Sequence, residues 1–291
     1  MQSIRHPVYA GAFYESSAGS CRAHATRLTD AAELPADLPK TLYGGLVPHA
    51  GWVYSGPLAA MTFKALAATG PPQTVVLFGA DHRGGVRAGE VFEAGIWRTP
   101  LGEVPIDEEL AGELLAAADA LRANPGAHVE EHSLEVQVPL LQVLMPDVKI
   151  VPIAAPASPL AVEIGTAVGG VLKDRPSVRV VGSTDLTHHG GGHFPAPGGR
   201  GRQGADWARK NDRRMLDLVE KMAIGEIVPE AHANGNACGA GAIAATAAAC
   251  KAMGARRGIV LKYTNSYEVV HERLPDDPDD TTVGYASVVF A

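Results

Sequence analysis

Residues 75–85 read VVLFGADHRGG, an apolar run that ends in Asp81, His82 and two glycines. Two further stretches pass from apolar residues to histidine and then to small residues: LVPHAGWVYSG at 46–56 and VVGSTDLTHHGGG at 180–192. Such runs are typical of buried strands that end in a turn. Because ligands bind at the carboxyl ends of the strands in open α/β sheets, we expect the histidines that end the three runs to share one site.

Strand-like runs alternate with helical patterns along the rest of the chain. The predicted strands are 41–47, 74–79, 149–153, 178–182, 259–263 and 283–290, with a hairpin over 89–106. The predicted helices are 57–68, 107–123, 133–144, 160–173 and a charged, exposed 206–222, followed by an Ala-rich helix at or just after Cys238. Pro139 should kink its helix or mark its first turn. These repeated β-α units predict an α/β fold, a single domain over 1–291 with a mixed, mainly parallel central sheet flanked by helices.

The composition excludes several classes of protein. The 291 residues are 46% hydrophobic, which is enough for a sizeable core, and the net charge is -7. Without a Lys/Arg-rich run or face, we expect no nucleic-acid partner. An odd count of three cysteines indicates a reducing compartment. Neither a signal-peptide pattern nor an apolar run of about 20 residues is present, so we expect a cytoplasmic protein without a membrane partner.

His49, His82 and Cys238 are the candidate metal ligands. Two imidazoles and a thiolate are a plausible ligand set for a mononuclear metal. Cys238 lies in a Gly-rich approach to a predicted helix, a position that should lower its pKa and favour the thiolate. The alternatives are histidines that bond to backbone and a cysteine that packs as a small apolar residue.

Asp185 and His188 are three residues apart after a strand and suit a general acid/base near the metal, with Asp185 orienting or tuning the pair. Alternatively, Asp185 caps a turn and His188 lies on the surface. His189 is a further candidate for the pocket or for contact with the metal ligands, although its ring, adjacent to that of His188, should point elsewhere. Asp81 is interpreted either as a carboxylate that orients an imidazole or as a helix N-cap.

Residues 130–142 read EEHSLEVQVPLLQ, in which Glu131, His132 and Glu135 lie on adjoining turns of a predicted helix. We interpret this segment as pocket wall or as contacts to the metal ligands, with helix capping as the alternative. Tyr54 and Ser55 are candidate hydrogen-bond donors to a substrate, or ordinary residues of a first helical turn.

Two segments interrupt the regular pattern. Residues 190–204 (GGGHFPAPGGRGRQG) form either a flexible surface loop or a lid over the site. Residues 274–282 (LPDDPDDTT) are predicted to be a solvated acidic turn.

Together these segments resemble the Memo family, also called AmmeMemoRadiSam system protein B. The resemblance rests on RHPVYAGAFYE, VPHAGWVYSG, LFGADH, TPLGEVPID, EEHSLEVQVPLLQ, GSTDLTHHG and NACGAG, which occur in this order. Memo proteins are similar in fold to class III extradiol dioxygenases, which hold one non-haem ferrous ion with two histidines and a glutamate and cleave catechol-type rings. The resemblance places His49 and His82 at the histidine ligands and Cys238 at the carboxylate position. His188 takes the place of the acid/base histidine, with Asp185 beside it.

The resemblance implies a mononuclear non-haem Fe(II) enzyme that uses dioxygen on a small aromatic or phenolic substrate. His188 would shuttle a proton, and Tyr54 would hold a substrate oxygen. Because thiolate is a soft ligand, copper or zinc would also suit the site. One alternative is a non-catalytic iron- or copper-binding protein that works with AMMECR-type and radical SAM proteins, and another is zinc hydrolysis.

Overall fold

The fold is described from a computed structural model that covers residues 3–291. The strands are β1 (Ile4–Arg5), β2 (Gly44–Val47), β3 (Thr74–Gly79), β4 (Gly89–Val91), β5 (Ile96–Thr99), β6 (Gly102–Pro105), β7 (Leu121–Ala123), β8 (Lys149–Ala154), β9 (Val178–Ser183), β10 (His188–His189), β11 (Gly258–Asn265) and β12 (Thr282–Phe290). The helices are α1 (Ala18–Ala31), α2 (Trp52–Ala68), α3 (Glu108–Ala117), α4 (His132–Glu135), α5 (Val138–Leu144), α6 (Leu160–Leu172), α7 (Gly201–Glu220), α8 (Ile224–Asn234), α9 (Ala240–Met253) and α10 (Ser266–Arg273).

A nine-stranded mixed sheet forms the centre of the molecule and confirms the predicted α/β class. Its strand order is β10-β12-β2-β9-β3-β8-β4-β7, and β11 also pairs with β12. The four central strands β2, β9, β3 and β8 are parallel, whereas β12 and β4 run antiparallel to their central neighbours. The parallel part therefore occupies the middle of the sheet, and its carboxyl ends meet at one edge.

Helices α2 and α9 cover opposite faces of this sheet. Successive residues of a strand point to opposite faces, and a Cβ at Gly44 would lie 2.7 Å from Cys250 Sγ of α9. A Cβ at Gly45 would lie 2.6 Å from Thr62 of α2. The two glycines thus let both helices approach β2 closely. Helix α9 is buried at every position from 240 to 250, which explains its small alanine side chains.

The structure divides the predicted hairpin over 89–106 between two sheets. Strands β5 and β6 form the antiparallel hairpin, and they join β1 in a separate three-stranded sheet. Strand β4 belongs instead to the large sheet, where it pairs with β8 and β7. The alternation of apolar and polar residues predicted strands correctly but could not assign them to a sheet.

Two predicted helices have wrong boundaries at one end. Helix α2 begins at Trp52 rather than at Pro57, because the Trp52 N–H donates to the Phe13 carbonyl at 2.8 Å and Gly51 caps the helix. Pro57 lies in its second turn, opposite the carbonyl of the exposed Val53. The predicted helix over 107–123 ends at Ala117, and its last residues form β7 instead.

Other helices differ from the prediction in their number, their first residue or their burial. The segment over 133–144 forms the short helices α4 and α5, and Pro139 lies in the first turn of α5, one of its two predicted positions. Helix α7 begins at Gly201, inside the predicted loop, and buries one face that includes Ala208, Met215 and Leu216. The prediction of an exposed helix there is therefore wrong for that face. Helices α1, α8 and α10 were not predicted.

None of the helices within residues 3–291 has the length and apolar character needed to cross a membrane.

Candidate metal centre

His49, His82 and Cys238 come together at the carboxyl edge of the parallel strands. His49 follows β2, His82 follows β3, and Cys238 precedes α9. One potential ligand atom from each residue lies within 4.8 Å of the other two. The sheet order explains this meeting, because β2 and β3 both neighbour β9 and present their following loops at one edge.

His49 is buried and its ring is held at both nitrogens. Its Nδ1 lies 3.0 Å from Ser183 Oγ, and its Nε2 lies 3.1 Å from Cys238 Sγ. Burial, together with the neighbouring imidazoles, holds the pKa of His49 well below its ordinary value. His49 is therefore neutral, which is the form that binds metals.

The hydrogen bonds of Ser183 fix the tautomer of His49. The Ser183 hydroxyl donates to the Ser133 carbonyl at 2.7 Å and accepts from Gln137 Nε2 at 3.2 Å. Its single proton is thus used, so His49 Nδ1 must donate to Ser183 Oγ. The lone pair of His49 Nε2 then faces Cys238, as metal ligation requires.

Glu131 orients the second histidine. His82 Nδ1 lies 2.9 Å from one Glu131 carboxylate oxygen, and the His82 backbone N–H donates to the other at 2.9 Å. Burial alone would lower the pKa of His82, but the Cys238 and Glu131 side chains outweigh it and raise that pKa to about 10. A metal must therefore displace a proton from His82, whose Nδ1 stays anchored on the carboxylate.

Cys238 is held by the backbone of Asp185. The Asp185 N–H donates to Cys238 Sγ at 3.2 Å, and the Cys238 N–H donates to the Asp185 carbonyl at 3.2 Å. Burial raises the pKa of the thiol, so the predicted lowering is wrong for the metal-free protein. The charge of a bound cation would have to stabilise the thiolate.

The structure separates the roles of Asp185 and His188. Asp185 is buried and accepts the His49 N–H at 2.7 Å, so it caps the turn after β2, and no hydrogen bond joins it to His188. Burial raises its pKa to about 7, against the opposing hydrogen bonds from the backbone of His49 and Ala50. His188 Nδ1 donates to the Leu186 carbonyl at 3.0 Å, and its ring lines the cavity over the metal centre.

Of the candidates in 130–142, only His132 lines this cavity. Its ring stacks on His82 with centroids 4.4 Å apart. Glu135 points away: it accepts hydrogen bonds from the Val8 and Tyr9 backbone and from Tyr14, and it pairs with Arg5 at 2.8 Å. Its role is to hold the N-terminal segment on the domain.

Three further candidates lie outside the site. Asp81 neither caps a helix nor contacts an imidazole, because its carboxylate accepts the Val86 N–H at 2.9 Å and closes the loop after β3. Ser55 is buried and donates to the Ala50 carbonyl at 2.7 Å. His189 is not among the residues that line the cavity, and its Nε2 accepts the Gly198 N–H at 3.3 Å.

A cavity of about 410 Å³ lies over the metal centre. Four histidines line it (His49, His82, His132 and His188), together with aromatic rings that include Phe13, Tyr54, Phe194 and Tyr285. Tyr54 lines the cavity and is 38% exposed. This volume suits a small molecule rather than a polymer.

Both irregular segments reach the cavity. Phe194, from the loop after β10, lines it and contacts the His188 ring edge-on with centroids 5.0 Å apart. Asp279 and Thr281 line it from the acidic turn. Most of this turn is exposed, as predicted, but Asp279 and Thr281 also line the edge of the cavity.

The model of the Memo-like protein family matches residues 5–289. This chain belongs to the Memo family. A MEMO1 family protein of Methanopyrus kandleri is 37% identical over 298 residues, covering 98% of each chain. One from Pyrococcus abyssi is 33% identical over 304 residues, covering 99% of each. An uncharacterized protein of Escherichia coli K12 shares the fold, with a TM-score of 0.51, 14% identity, and coverage of 80% of this chain and 92% of that one.

Sequence reasoning gave no role to Ser183, which orients His49 in this Memo-family site, and placed Glu131 only within a segment expected to form pocket wall or contacts to the metal ligands. Ser183 ends β9 inside a buried run, so it carried no signal other than a polar side chain among apolar ones. Glu131 was one acid of a Glu-Glu-His triplet, and its contact with His82 spans 49 residues. Only the pairing of strands and loops brings these partners together.

Proposed function

We propose that this Memo-family protein is a mononuclear non-haem iron enzyme that uses dioxygen on a small aromatic or phenolic substrate. The observation that carries the proposal is the cluster of His49, His82 and Cys238, whose ligand atoms lie within 4.8 Å of one another beneath a cavity of about 410 Å³. A metal held there by three protein ligands would keep open positions toward the cavity.

The donor set fits a divalent transition metal. His49 is neutral and presents Nε2, and Glu131 anchors Nδ1 of His82, which leaves the opposite nitrogen for ligation. Cys238 adds a sulfur donor 3.1 Å from His49 Nε2. A bound ferrous ion would supply the electron needed to activate dioxygen.

The side chains around the cavity supply the remaining chemistry. His188 anchors Nδ1 on the Leu186 carbonyl, so Nε2 is the nitrogen free to exchange a proton with a bound substrate. Burial lowers the pKa of His188, so the ring starts as the neutral base. The Tyr54 hydroxyl would donate to a substrate oxygen, and the aromatic side chains would supply apolar walls.

A second candidate function is a metal-binding protein without catalysis of its own, acting with AMMECR-type and radical SAM partners. The thiolate of Cys238 favours it, because sulfur is a better donor for copper or zinc than the carboxylates of typical oxygenase sites. Three free cysteines support a reducing compartment, such as the cytoplasm, for either function.

The test is anaerobic titration of metal-free protein with ferrous ion, compared with Cys238→Ala. We expect one ion per chain, and affinity at least about a hundredfold lower in the variant because a ligand is lost. Cys250→Ala is the matched control, since this thiol is buried in α9 away from the site and its loss should leave ferrous affinity unchanged.

Ferrous-loaded protein that consumes dioxygen in the presence of a phenol would support the enzyme. Ferrous binding indifferent to Cys238, or tight copper binding without dioxygen uptake, would contradict it and favour the second candidate.

A further inference from the structure

The rim of the cavity over the metal centre carries a negative charge. None of its lining residues, within the 3–291 range that the structure describes, is a lysine or an arginine. At the rim the charged lining side chain is Asp279, whereas Asp185 is buried and turned to the His49 backbone, and His82, whose pKa is raised, lies at the floor among the candidate metal ligands. An anionic group on the outer end of a ligand would therefore meet no cationic side chain here.

Asp279 is held in place as an anion. One of its carboxylate oxygens accepts the Thr281 N–H at 2.8 Å and the Thr281 hydroxyl at 2.6 Å, while its own N–H donates to Asp277 at 2.9 Å. The hydrogen bonds from Thr281 hold the pKa of Asp279 below its ordinary value. The second carboxylate oxygen has no protein partner among the hydrogen bonds of the described chain and is free to bind a donor.

The neighbouring cation does not cancel this charge. Arg200, which is 88% exposed, lies 3.9 Å from Asp280 rather than from Asp279, and it does not line the cavity. The electrostatic effects of His193 and His271 lower the pKa of Asp279 slightly further, after the larger effect of Thr281. His271 is itself committed to the Tyr267 and Asp277 carbonyls.

The walls between rim and floor are aromatic. Phe194, Tyr54 and Tyr285 line the cavity, and an alkylammonium group is attracted to such ring faces. The floor carries the candidate metal ligands, which would take an anionic oxygen. The cavity thus has an end suited to a phenolate, an apolar middle, and a rim suited to a cation.

We propose that the ligand of this cavity is a phenol that carries a short alkylammonium chain, with its ammonium bound at Asp279. This inference names the substrate class and, for the phenol end, rests on the proposed metal function. The ammonium end rests on the rim carboxylate alone, so it can be tested with and without metal.

The experiment is calorimetric binding of three phenols of similar size to the full chain under anaerobic conditions. The probes are tyramine (ammonium), 4-ethylphenol (neutral) and 4-hydroxyphenylacetate (carboxylate), each measured on metal-free and ferrous-loaded protein. We expect tyramine to bind about tenfold more tightly than 4-hydroxyphenylacetate, with 4-ethylphenol between them, because attraction of one charge and repulsion of the other add together.

Asp279→Asn should reduce this preference to about twofold or less, since the amide oxygen keeps the Thr281 hydrogen bonds but loses the charge. Asp276→Asn is the matched control: it lies in the same acidic turn, is also exposed and does not line the cavity. It should retain the full preference.

The proposal is overturned if 4-hydroxyphenylacetate binds as tightly as tyramine, if Asp279→Asn keeps the preference, or if no probe binds either form. A preference that persists in metal-free protein while ferrous ion fails to bind would uphold ammonium recognition and contradict only the iron function. Ferrous binding without a preference for tyramine would contradict ammonium recognition and leave the iron function standing.

Discussion

Replacing Ser183 by alanine tests whether its hydroxyl orients the metal ligand His49 or only stabilises the fold. Among residues 3–291, the Ser183 hydroxyl is the only acceptor for His49 Nδ1, at 3.0 Å. Its removal leaves this buried N–H without a partner and frees the proton to move to Nε2, the nitrogen that faces Cys238. The Gln137 amide loses one acceptor but keeps the Pro48 carbonyl at 2.8 Å.

Two magnitudes follow from these contacts. An unsatisfied buried donor costs about 1–3 kcal/mol in the free energy of unfolding. Loss of the group that orients a ligating histidine lowers metal affinity by about 10- to 100-fold, equivalent to about 1.4–2.8 kcal/mol of binding free energy. Ser183→Ala should therefore lose both stability and metal affinity.

Urea unfolding of metal-free protein would measure the first effect, and anaerobic ferrous titration the second. Ser287→Ala is the matched control, because Ser287 is also fully buried and its hydroxyl lies 2.7 Å from Thr62 Oγ1, away from the metal centre. We expect it to lose stability by a comparable amount while its ferrous affinity stays within about twofold of the original protein.

If Ser183→Ala loses stability but binds ferrous ion as tightly as Ser287→Ala, the tautomer of His49 does not depend on Ser183. The reasoning about ligand orientation would then be refuted, and the hydroxyl would be only a structural element of β9.

Three further predictions concern other residues. Glu131→Gln should lower ferrous affinity by about 10- to 100-fold in the same titration, because His82 loses its carboxylate partner, whereas Glu130→Gln, one residue away and exposed, should not. Burial lowers the pKa of His128 from 6.5 to about 4, so as pH falls the unfolded chain takes up this proton first. The free energy of unfolding should therefore be unaffected by His128 above pH 6.5 and should fall by about 3 kcal/mol as the pH is lowered toward 4. Urea unfolding at each pH should show this dependence in the original protein and lose it in His128→Gln. His188→Ala should bind ferrous ion normally but lose dioxygen-dependent turnover by about 10²- to 10⁴-fold in oxygen-electrode assays; unchanged turnover would exclude His188 as the acid/base.

Much of the fold could be predicted from local patterns. The strand at 74–79 and the Ala-rich helix after Cys238 were predicted correctly because continuous apolar runs and small residues fix which surfaces must be buried. Leu121 shows the limit of this approach: its periodicity suited a helix, yet pairing with β4 placed it in a strand. Such pairing depends on a partner 32 residues away and leaves no local signal.

Local sequence patterns identified the groups available for chemistry at the centre: two histidines and a cysteine, each beside a turn that ends an apolar run or opens a helix. Their convergence followed from the α/β pattern, since parallel strands end at one edge. The protonation and orientation of these groups, in contrast, depend on contacts between residues far apart in the chain. Ser183 meets His49 across 134 residues, Glu131 meets His82 across 49, and the acidic turn before β12 places Asp279 at the rim of the cavity. Protonation and orientation depend on burial and on hydrogen-bond partners, and both are properties of the assembled fold rather than of neighbouring residues.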